Sequence, residues 1–141
     1  KILSFTGDLE MLTREQLQGV LLSGPKATFT ITYDERHTVG YAVRVGVYIR
    51  GKMDFLVAVQ RSLFQQGIES KLKDVESKTR RGPILSIRGF LNCNKLCELV
   101  PNLPDAKGQW KDFITVVEIC RSGKHQTQIG IDELFRIRGL E

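Results

Sequence analysis

Hydrophobic and polar positions alternate in two early segments of the chain, a pattern that is typical of half-buried β-strands. In residues 26–33, threonines separate the apolar positions Ala27, Phe29, Ile31 and Tyr33. In residues 39–50, the positions predicted to face the core are Val43, Val45, Val47 and Ile49. The polar segment 34–37 separates the two runs, so we interpret them as one antiparallel hairpin.

Helical spacing flanks this hairpin on both sides. Thr13 can cap a first helix and Gln16 can complete a capping box, while Ser23-Gly24-Pro25 ends the helix. The apolar stripe of this helix would comprise Leu17, Val20 and Leu21. Residues 53–66 predict a second helix that ends at Gly67. The apolar residues that carry this helical spacing are Phe55, Leu56, Val59, Leu63 and Phe64.

Two further strands and three further helices are predicted in the second half. Residues 69–76 predict a weak strand and residues 83–89 a stronger one, joined by the basic loop 77–82. The helices would span 91–99, 108–120 and 128–138, with a turn from Pro101 to Pro104. In the second of these helices the inward residues would be Trp110, Phe113, Val116 and Val117, and Thr127 would cap the third.

The order of these elements predicts the fold class. Two hairpins interleaved with helices, in the order α-β-β-α-β-β-α followed by a last helix, favour an α+β protein. We expect one domain over residues 1–141, with an antiparallel four-stranded sheet and helices on one face.

Charge is concentrated in the middle of the chain. The 141 residues carry 21 Lys and Arg against 16 Asp and Glu, a formal net charge of +5. Residues 26–89 hold twelve basic and six acidic groups, whereas residues 90–141 are balanced. A local basic excess attracts polyanions and indicates DNA or structured RNA as a partner. No apolar run approaches the roughly 18 residues of a transmembrane helix, so no membrane partner is expected.

The strand positions between the core residues would form an uncovered sheet face. Polar and cationic side chains spaced two apart can lie in a DNA major groove and read base edges. Basic residues of the 77–82 loop would mainly contact phosphates. The alternative is a solvated sheet face without a ligand. The candidate nucleic-acid-binding residues are Thr28, Thr30, Thr32, Arg36, Arg44, Tyr48, Arg50, Lys71, Lys73, Lys78, Arg80, Arg81, Ser86 and Arg88.

Several runs between about Glu15 and Gly139 resemble the LAGLIDADG homing endonuclease family. Residues 17–25 (LQGVLLSGP) stand where the family has its signature helix, and residues 39–41 (VGY) resemble the start of its second strand. Residues 122–125 (SGKH) and 130–134 (GIDEL) are similar to the family's last turn and last helix. The resemblance implies a saddle-shaped sheet that binds DNA in the major groove, paired signature helices, and cleavage with a divalent metal such as Mg²⁺.

The signature departs from the family pattern at the acid that would bind the metal. The position of this acid falls on Gly24, and the sixth signature position, often also acidic, falls on Leu22. Neither side chain carries an oxygen, whereas Mg²⁺ requires oxygen ligands. Lys107 lies near the position of the family's basic active-site residue, but we interpret it as a solvated lysine before a helix. We therefore assign no catalytic residue, metal site or cofactor, and Mg²⁺ would apply only to an active enzyme.

Gly19 lies inside the signature helix, where glycine costs about 1 kcal/mol relative to alanine. The resemblance implies that a small residue there lets two such helices approach closely. The alternative is a contact of this glycine with the chain's own sheet. The candidate pairing residues, for a homodimer or for a second LAGLIDADG-like domain, are Leu17, Gly19 and Val20.

The three cysteines are too few, and odd in number, for a disulfide framework. Cys93, Cys97 and Cys120, even with His37 and His125, lack a second closely spaced ligand pair, so no zinc site is expected. We interpret them as free thiols in a reducing compartment, an organelle or the cytoplasm. A targeting signal on a longer N-terminus would not be visible in a sequence that starts at Lys1, so no compartment is assigned.

The missing acid favours a nucleic-acid-binding protein over an enzyme. Three alternatives stay open. The first is an active metal-dependent DNA endonuclease of the homing type whose acid is unconventional or comes from a partner chain. The second is an RNA-binding protein, either maturase-like or a structural component of a ribonucleoprotein. The third is a structural protein that pairs through the signature helix and has no specific nucleic-acid target.

Overall fold

The computed structural model describes residues 11–23, 26–37, 39–100 and 108–139. The helices are α1 (Arg14–Ser23), α2 (Met53–Gln65), α3 (Phe90–Leu99), α4 (Gly108–Arg121) and α5 (Gln128–Arg138). The strands are β1 (Lys26–Tyr33), β2 (Tyr41–Arg50), β3 (Lys71–Lys73) and β4 (Ile84–Arg88). They form one antiparallel sheet in the order β1-β2-β4-β3, which confirms the predicted α+β fold class. None of the described helices is long and apolar enough to cross a membrane.

The chain divides into two compact units. The first comprises Lys1–Lys26 and Val47–Ile87, and therefore contains α1, α2, β3 and most of β4. The second comprises Ala27–Gly46 and Arg88–Glu141, and contains nearly all of β1 together with α3, α4 and α5. That residues 1–141 form a single domain stays a prediction.

In the first unit, the predicted capping box begins α1. The backbone N–H of Gln16 donates to Thr13 Oγ1 over 3.1 Å, and the N–H of Thr13 donates to Gln16 Oε1 over 2.9 Å. Leu17 and Leu21 are buried, as expected for the apolar stripe. Helix α1 packs against α2, where the N–H of Leu12 donates to Ser62 Oγ over 2.8 Å. The reciprocal cap therefore fixes the start of α1 through contacts within three residues of each other.

The buried stripe of α2 is narrower than the set of apolar residues that carry its helical spacing. Leu56, Val59 and Leu63 are fully buried, but Phe55 and Phe64 are 37 % and 71 % exposed and lie outside the core. Each phenylalanine is one residue outside the buried stripe, a step of about 100° around the helix axis. Their position on the helix therefore turns both rings toward solvent.

In the second unit, β1 follows the predicted alternation until its last residues. Ala27 and Phe29 are buried and Ile31 is half-buried, but Tyr33, which the alternation places on the same face, is 69 % exposed. Tyr33 lies at the hairpin end of β1, with its ring edge-on to that of Tyr41 at 6.0 Å between centroids. The Tyr33 ring is therefore packed against another aromatic ring at the surface and is not buried in the core.

Two strand boundaries differ from the prediction. Strand β2 begins at Tyr41 rather than residue 39, because Gly40 adopts a φ of +83° in the preceding turn. The strand predicted over 69–76 is limited to Lys71–Lys73. Beyond Lys73 the chain turns into the loop that leads to β4, where the N–H of Glu76 donates to the carbonyl of Gly82 over 3.0 Å.

The C-terminal helices of the second unit match the sequence analysis. Within α4 the predicted inward residues Trp110, Phe113, Val116 and Val117 are buried. Thr127 caps α5 as predicted, since its Oγ1 accepts a hydrogen bond of 3.0 Å from the N–H of Gly130. The turn predicted from Pro101 to Pro104 lies outside the described residues.

Gly130 lies against Lys124 and so brings together the two C-terminal runs that resemble the family, residues 122–125 and 130–134. A Cβ at Gly130 would lie 1.7 Å from the carbonyl oxygen of Lys124, which belongs to a 3₁₀ turn (Lys124–Gln126) before α5. Since this neighbour is backbone, a larger side chain would displace the turn. Gly130 therefore has a steric role in joining the turn to the helix.

We expect Gly130→Ala to lower the free energy of unfolding by about 3 kcal/mol, at the upper end of overpacking effects. The gain in helix propensity from alanine, about 1 kcal/mol, is too small to offset the backbone clash. Denaturant unfolding checks this result. Gly82→Ala is the matched control, because a Cβ there meets no described atom within 4 Å. Equal stability of the two variants would contradict the steric role.

Candidate nucleic-acid interface

Strand positions of the second unit place polar side chains opposite the core. Thr30 and Thr32 are exposed and Thr28 is half-buried, and they alternate with the buried residues of β1. On β2, Arg44 is exposed between half-buried Val43 and buried Val45. Arg88 is exposed at the end of β4. The alternation therefore turns these side chains outward, as predicted from the sequence.

In the first unit, the register of β3 against β4 brings predicted binding residues to one face. Lys71 lies opposite Ser86, and side chains of directly opposite residues point to the same side of a sheet. Lys71 and Lys73 are exposed and Ser86 is half-buried, whereas Leu85 is fully buried on the other side. Tyr48 on β2 is half-buried.

Arg50, at the end of β2, is engaged by an acidic residue that the sequence analysis did not single out. Its Nε and Nη2 each donate to the carboxylate of Glu76 over 2.7 Å, in a two-bonded pair. These hydrogen bonds, with the charges of Arg80 and Lys73 nearby, lower the pKa of Glu76 below its usual value. Arg50 therefore has a fixed orientation.

The loop between β3 and β4 carries three cations on a hydrogen-bonded turn. The N–H of Ser77 donates to the carbonyl of Arg80 over 2.8 Å, and the N–H of Arg80 donates to Ser77 Oγ over 3.0 Å. Lys78, Arg80 and Arg81 are exposed, and among the described residues none of them forms an ion pair. Their charges are thus available to phosphates.

The turn between β1 and β2 holds a second arginine–carboxylate pair. Arg36 Nε donates to Asp34 Oδ1 over 2.9 Å and its Nη2 donates to Oδ2 over 2.7 Å. The side-chain hydrogen bonds from Arg36, together with its backbone N–H, lower the pKa of Asp34 from 3.8 to about 2. Asp34 is therefore ionised at physiological pH.

Sequence reasoning missed Asp34 and Glu76 as partners of the candidate arginines, for different reasons. Asp34 lies two residues before Arg36, and an aspartate in a turn commonly bonds the backbone two residues on, so this signal was readable. Glu76 lies 26 residues from Arg50, and only the fold brings the two together.

The candidate pairing residues of α1 differ in accessibility. Leu17 is buried in the chain's own core, with 1 % of its surface exposed, whereas Val20 is half-buried. Gly19 is exposed, and a Cβ there would meet no described atom within 4 Å. The alternative contact of Gly19 with the chain's own sheet is therefore not found among the described residues.

The described part of α1 does not fit a carboxylate metal site. Its acidic residue is Glu15 in the first turn, about 12 Å along the helix from the C-terminal end where the family's acid would stand. Gly24 and Lys107 lie outside the described residues. No group of three or more His, Cys, Asp or Glu residues among the described residues is arranged to hold a metal ion.

The cysteines and histidines lie in the second unit. Cys93, Cys97 and Cys120 are free cysteines. Burial raises the pKa of Cys93 and of Cys97 to about 12 and that of Cys120 to about 11. Burial also lowers the pKa of His125, with a smaller effect from nearby His37. The thiols are therefore protonated at neutral pH.

The architecture is that of a LAGLIDADG-like domain, and solved structures of homing endonucleases share it. No protein-family model and no curated protein matches the chain. I-TnaI, a homing endonuclease, superposes with a TM-score of 0.72 at 16 % identity, over 90 % of this chain and 86 % of its own. I-LtrWI bound to target DNA gives a TM-score of 0.75 at 12 % identity, over 100 % of this chain.

I-SmaMI bound to cleaved DNA gives a TM-score of 0.71 at 14 % identity, over 91 % of this chain. This chain spans 46 % of I-LtrWI and 43 % of I-SmaMI, about half of each, but most of I-TnaI. At these low identities the likeness establishes the fold.

Proposed function

We propose that this chain is a DNA-binding protein that contacts the duplex through the outward side chains of its strands and through the 77–82 loop. The observation that carries the proposal is the outward placement of cations and hydroxyls on the strands of a fold whose solved examples include DNA-bound endonucleases. The strand residues that fit this role are Thr28, Thr30, Thr32, Arg44, Arg50, Lys71, Lys73 and Arg88.

Two kinds of contact support this function. Lys78, Arg80 and Arg81 are exposed on one loop and fit phosphate oxygens, which position a protein without reading sequence. Threonine hydroxyls and arginines along the strands fit base edges in the major groove. The electrostatic part of this binding predicts a strong dependence on salt concentration.

We also propose that the chain lacks metal-dependent nuclease activity of its own. The position of the family's metal-binding acid falls on Gly24, and the described part of α1 has its acidic residue at the opposite end. Divalent cations such as Mg²⁺ are held by carboxylate and other oxygen ligands. An acid supplied by another chain would restore the chemistry, and a cleavage assay distinguishes that outcome.

Pairing through α1 is a further part of the proposal. Exposed Gly19 and half-buried Val20 offer a small-residue surface to a second helix, in a homodimer or with another LAGLIDADG-like domain. The chain spans about half of I-LtrWI and of I-SmaMI, so a second domain of similar size would match their length.

The central experiment measures binding to a 30-bp DNA duplex and to an RNA hairpin of equal charge across a salt series. The expected result is tighter binding to the duplex, with log affinity falling steeply against log salt. A shallow slope would argue against phosphate contacts, and preference for the hairpin would support the RNA-binding alternative. Incubation of the duplex with Mg²⁺ or Mn²⁺ tests cleavage, and clean double-strand cuts would overturn the proposed loss of activity.

We expect Arg44→Ala combined with Arg88→Ala to weaken duplex binding by about tenfold or more. Both arginines are exposed on strands of the second unit. If one of them contacts a phosphate, the salt slope also falls by about 1. Fluorescence anisotropy on the same duplex measures both quantities. Arg121→Ala combined with Arg136→Ala makes the same charge change on α4 and α5, and equal effects of the two pairs would remove the strands from the proposal.

A further inference from the structure

Two arginines of the candidate interface are held in the same way by a carboxylate. Arg36 and Arg50 each donate from Nε and Nη2 to the two oxygens of one acidic side chain, over 2.7 to 2.9 Å. Arg36 lies in the β1–β2 turn of the second unit and Arg50 at the end of β2 in the first. Among the described residues, each unit thus holds one arginine in this arrangement.

This geometry leaves one edge of each guanidinium available. Arginine has five N–H donors, and the carboxylate occupies the edge formed by Nε and Nη2. The other edge, formed by Nη1 and the second N–H of Nη2, carries two parallel donors that point away from the carboxylate. The side chains of Arg36 and Arg50 are 83 % and 40 % exposed, so this edge can reach a ligand.

The acids themselves are anchored by their backbone. The N–H of Asp34 donates to the carbonyl of Gly40 over 2.7 Å, across the β1–β2 turn. The N–H of Glu76 donates to the carbonyl of Gly82 over 3.0 Å, and the Glu76 carbonyl accepts from Lys73 Nζ over 3.2 Å. Each carboxylate is therefore held by a hydrogen-bonded turn, and in turn it fixes the direction of its arginine.

A negative charge at a phosphate-binding surface lowers affinity for every DNA sequence. Glu76 lies near Lys73 and Arg80 within the most basic part of the chain, where it offsets part of that charge. The presence of an acidic residue at this place is explained if it improves recognition of particular bases. Two parallel donors match the O6 and N7 acceptors of guanine in the major groove, which is the commonest specific contact of arginine.

We propose that Asp34 and Glu76 are positioning residues that orient Arg36 and Arg50 to read guanine. The inference rests on the proposed DNA binding and adds its base specificity. Each of the two arginines then reads one guanine, and replacement of that guanine weakens binding roughly 5- to 100-fold. Lysine in place of either arginine keeps the charge but loses the paired donors.

The test selects bound sequences from a library of DNA duplexes with a randomised core, for the wild type, Arg50→Lys and Glu76→Gln. We expect a guanine preference in the wild type that both variants lose at one shared position. Affinity for poly(dA)·poly(dT), which lacks guanine, should be unchanged or higher for Glu76→Gln, since that variant removes a negative charge. Substituting 7-deazaguanine at the shared position should weaken the wild type but not Arg50→Lys. Asp34→Asn and Arg36→Lys test the other pair in the same way.

Glu118→Gln is the matched control, because it removes the carboxylate of another arginine pair, on α4. It should leave the selected sequences unchanged. The positioning role would be overturned if Glu76→Gln kept the guanine preference. It would also be overturned if this variant lost affinity equally for the selected guanine-containing duplex and for poly(dA)·poly(dT). Salt-dependent binding by the wild type without any base preference overturns this inference alone, whereas no binding to any duplex overturns the proposed function as well.

Discussion

Replacing the three cations of the β3–β4 loop together, as Lys78→Ala, Arg80→Ala and Arg81→Ala, should weaken binding to any DNA duplex by roughly 100-fold at about 0.1 M salt. The loss arises because each cation that neutralises a phosphate releases a counterion, and the free energy of that release is lost with the cation. The effect should be the same for duplexes of different sequence, since phosphate contacts do not read bases.

The salt series gives the sharper measurement of this loss. Each phosphate contact contributes about 0.9 to the slope of log affinity against log salt, so the triple variant should lower the slope by about 2 to 3. The turn itself should survive, because two of its hydrogen bonds use the backbone N–H groups of Ser77 and Arg80 and the hydroxyl of Ser77. Thermal unfolding of the variant checks this point.

Net charge must be separated from position in this experiment. Lys111→Ala, Arg121→Ala and Arg136→Ala remove the same charge from exposed positions on α4 and α5. If that control loses as much affinity and as much slope as the loop variant, binding depends on the overall charge of the protein. The loop would then have no special part in DNA binding.

Local signals predicted helix starts reliably, because the contacts that begin a helix lie within a few residues of each other. Thr13 with Gln16 and Thr127 with the N–H of Gly130 bond as their spacing indicates. Burial at the flanks of an element is harder to predict. Phe64 on α2 and Tyr33 on β1 are apolar and correctly placed in their elements, but which flank is covered depends on neighbours distant in sequence.

Part of the candidate interface could be predicted from local sequence, and part of it depends on residues that only the fold brings together. Outward placement of Arg44 and Lys71 follows from the two-residue period of a strand, which the sequence displays. The Arg50–Glu76 pair could not be read, since 26 residues and a helix separate its members. Which charges of a basic segment are available to a polyanion is thus a property of the fold.

The last prediction concerns the surface of α1. Gly19→Leu should weaken association through this helix, raising the dissociation constant of a homodimer by roughly 100-fold or more, because close packing of two helices depends on small residues. Sedimentation equilibrium of the wild type and the variant measures the change. Gly82→Ala, a substitution at another glycine with open space around it, should leave association unchanged.

A small substitution at Gly19 should stabilise the single chain, although a large one should weaken its association. A Cβ at Gly19 meets no described atom within 4 Å, so Gly19→Ala should raise the free energy of unfolding of the single chain by up to about 1 kcal/mol through helix propensity. An alanine that weakens association while stabilising the chain indicates a glycine kept for contact with another helix. Loss of stability in dilute protein would instead place Gly19 against the chain's own core. Association that survives Gly19→Leu, or a wild type that stays monomeric, would exclude α1 as the surface of a homodimer.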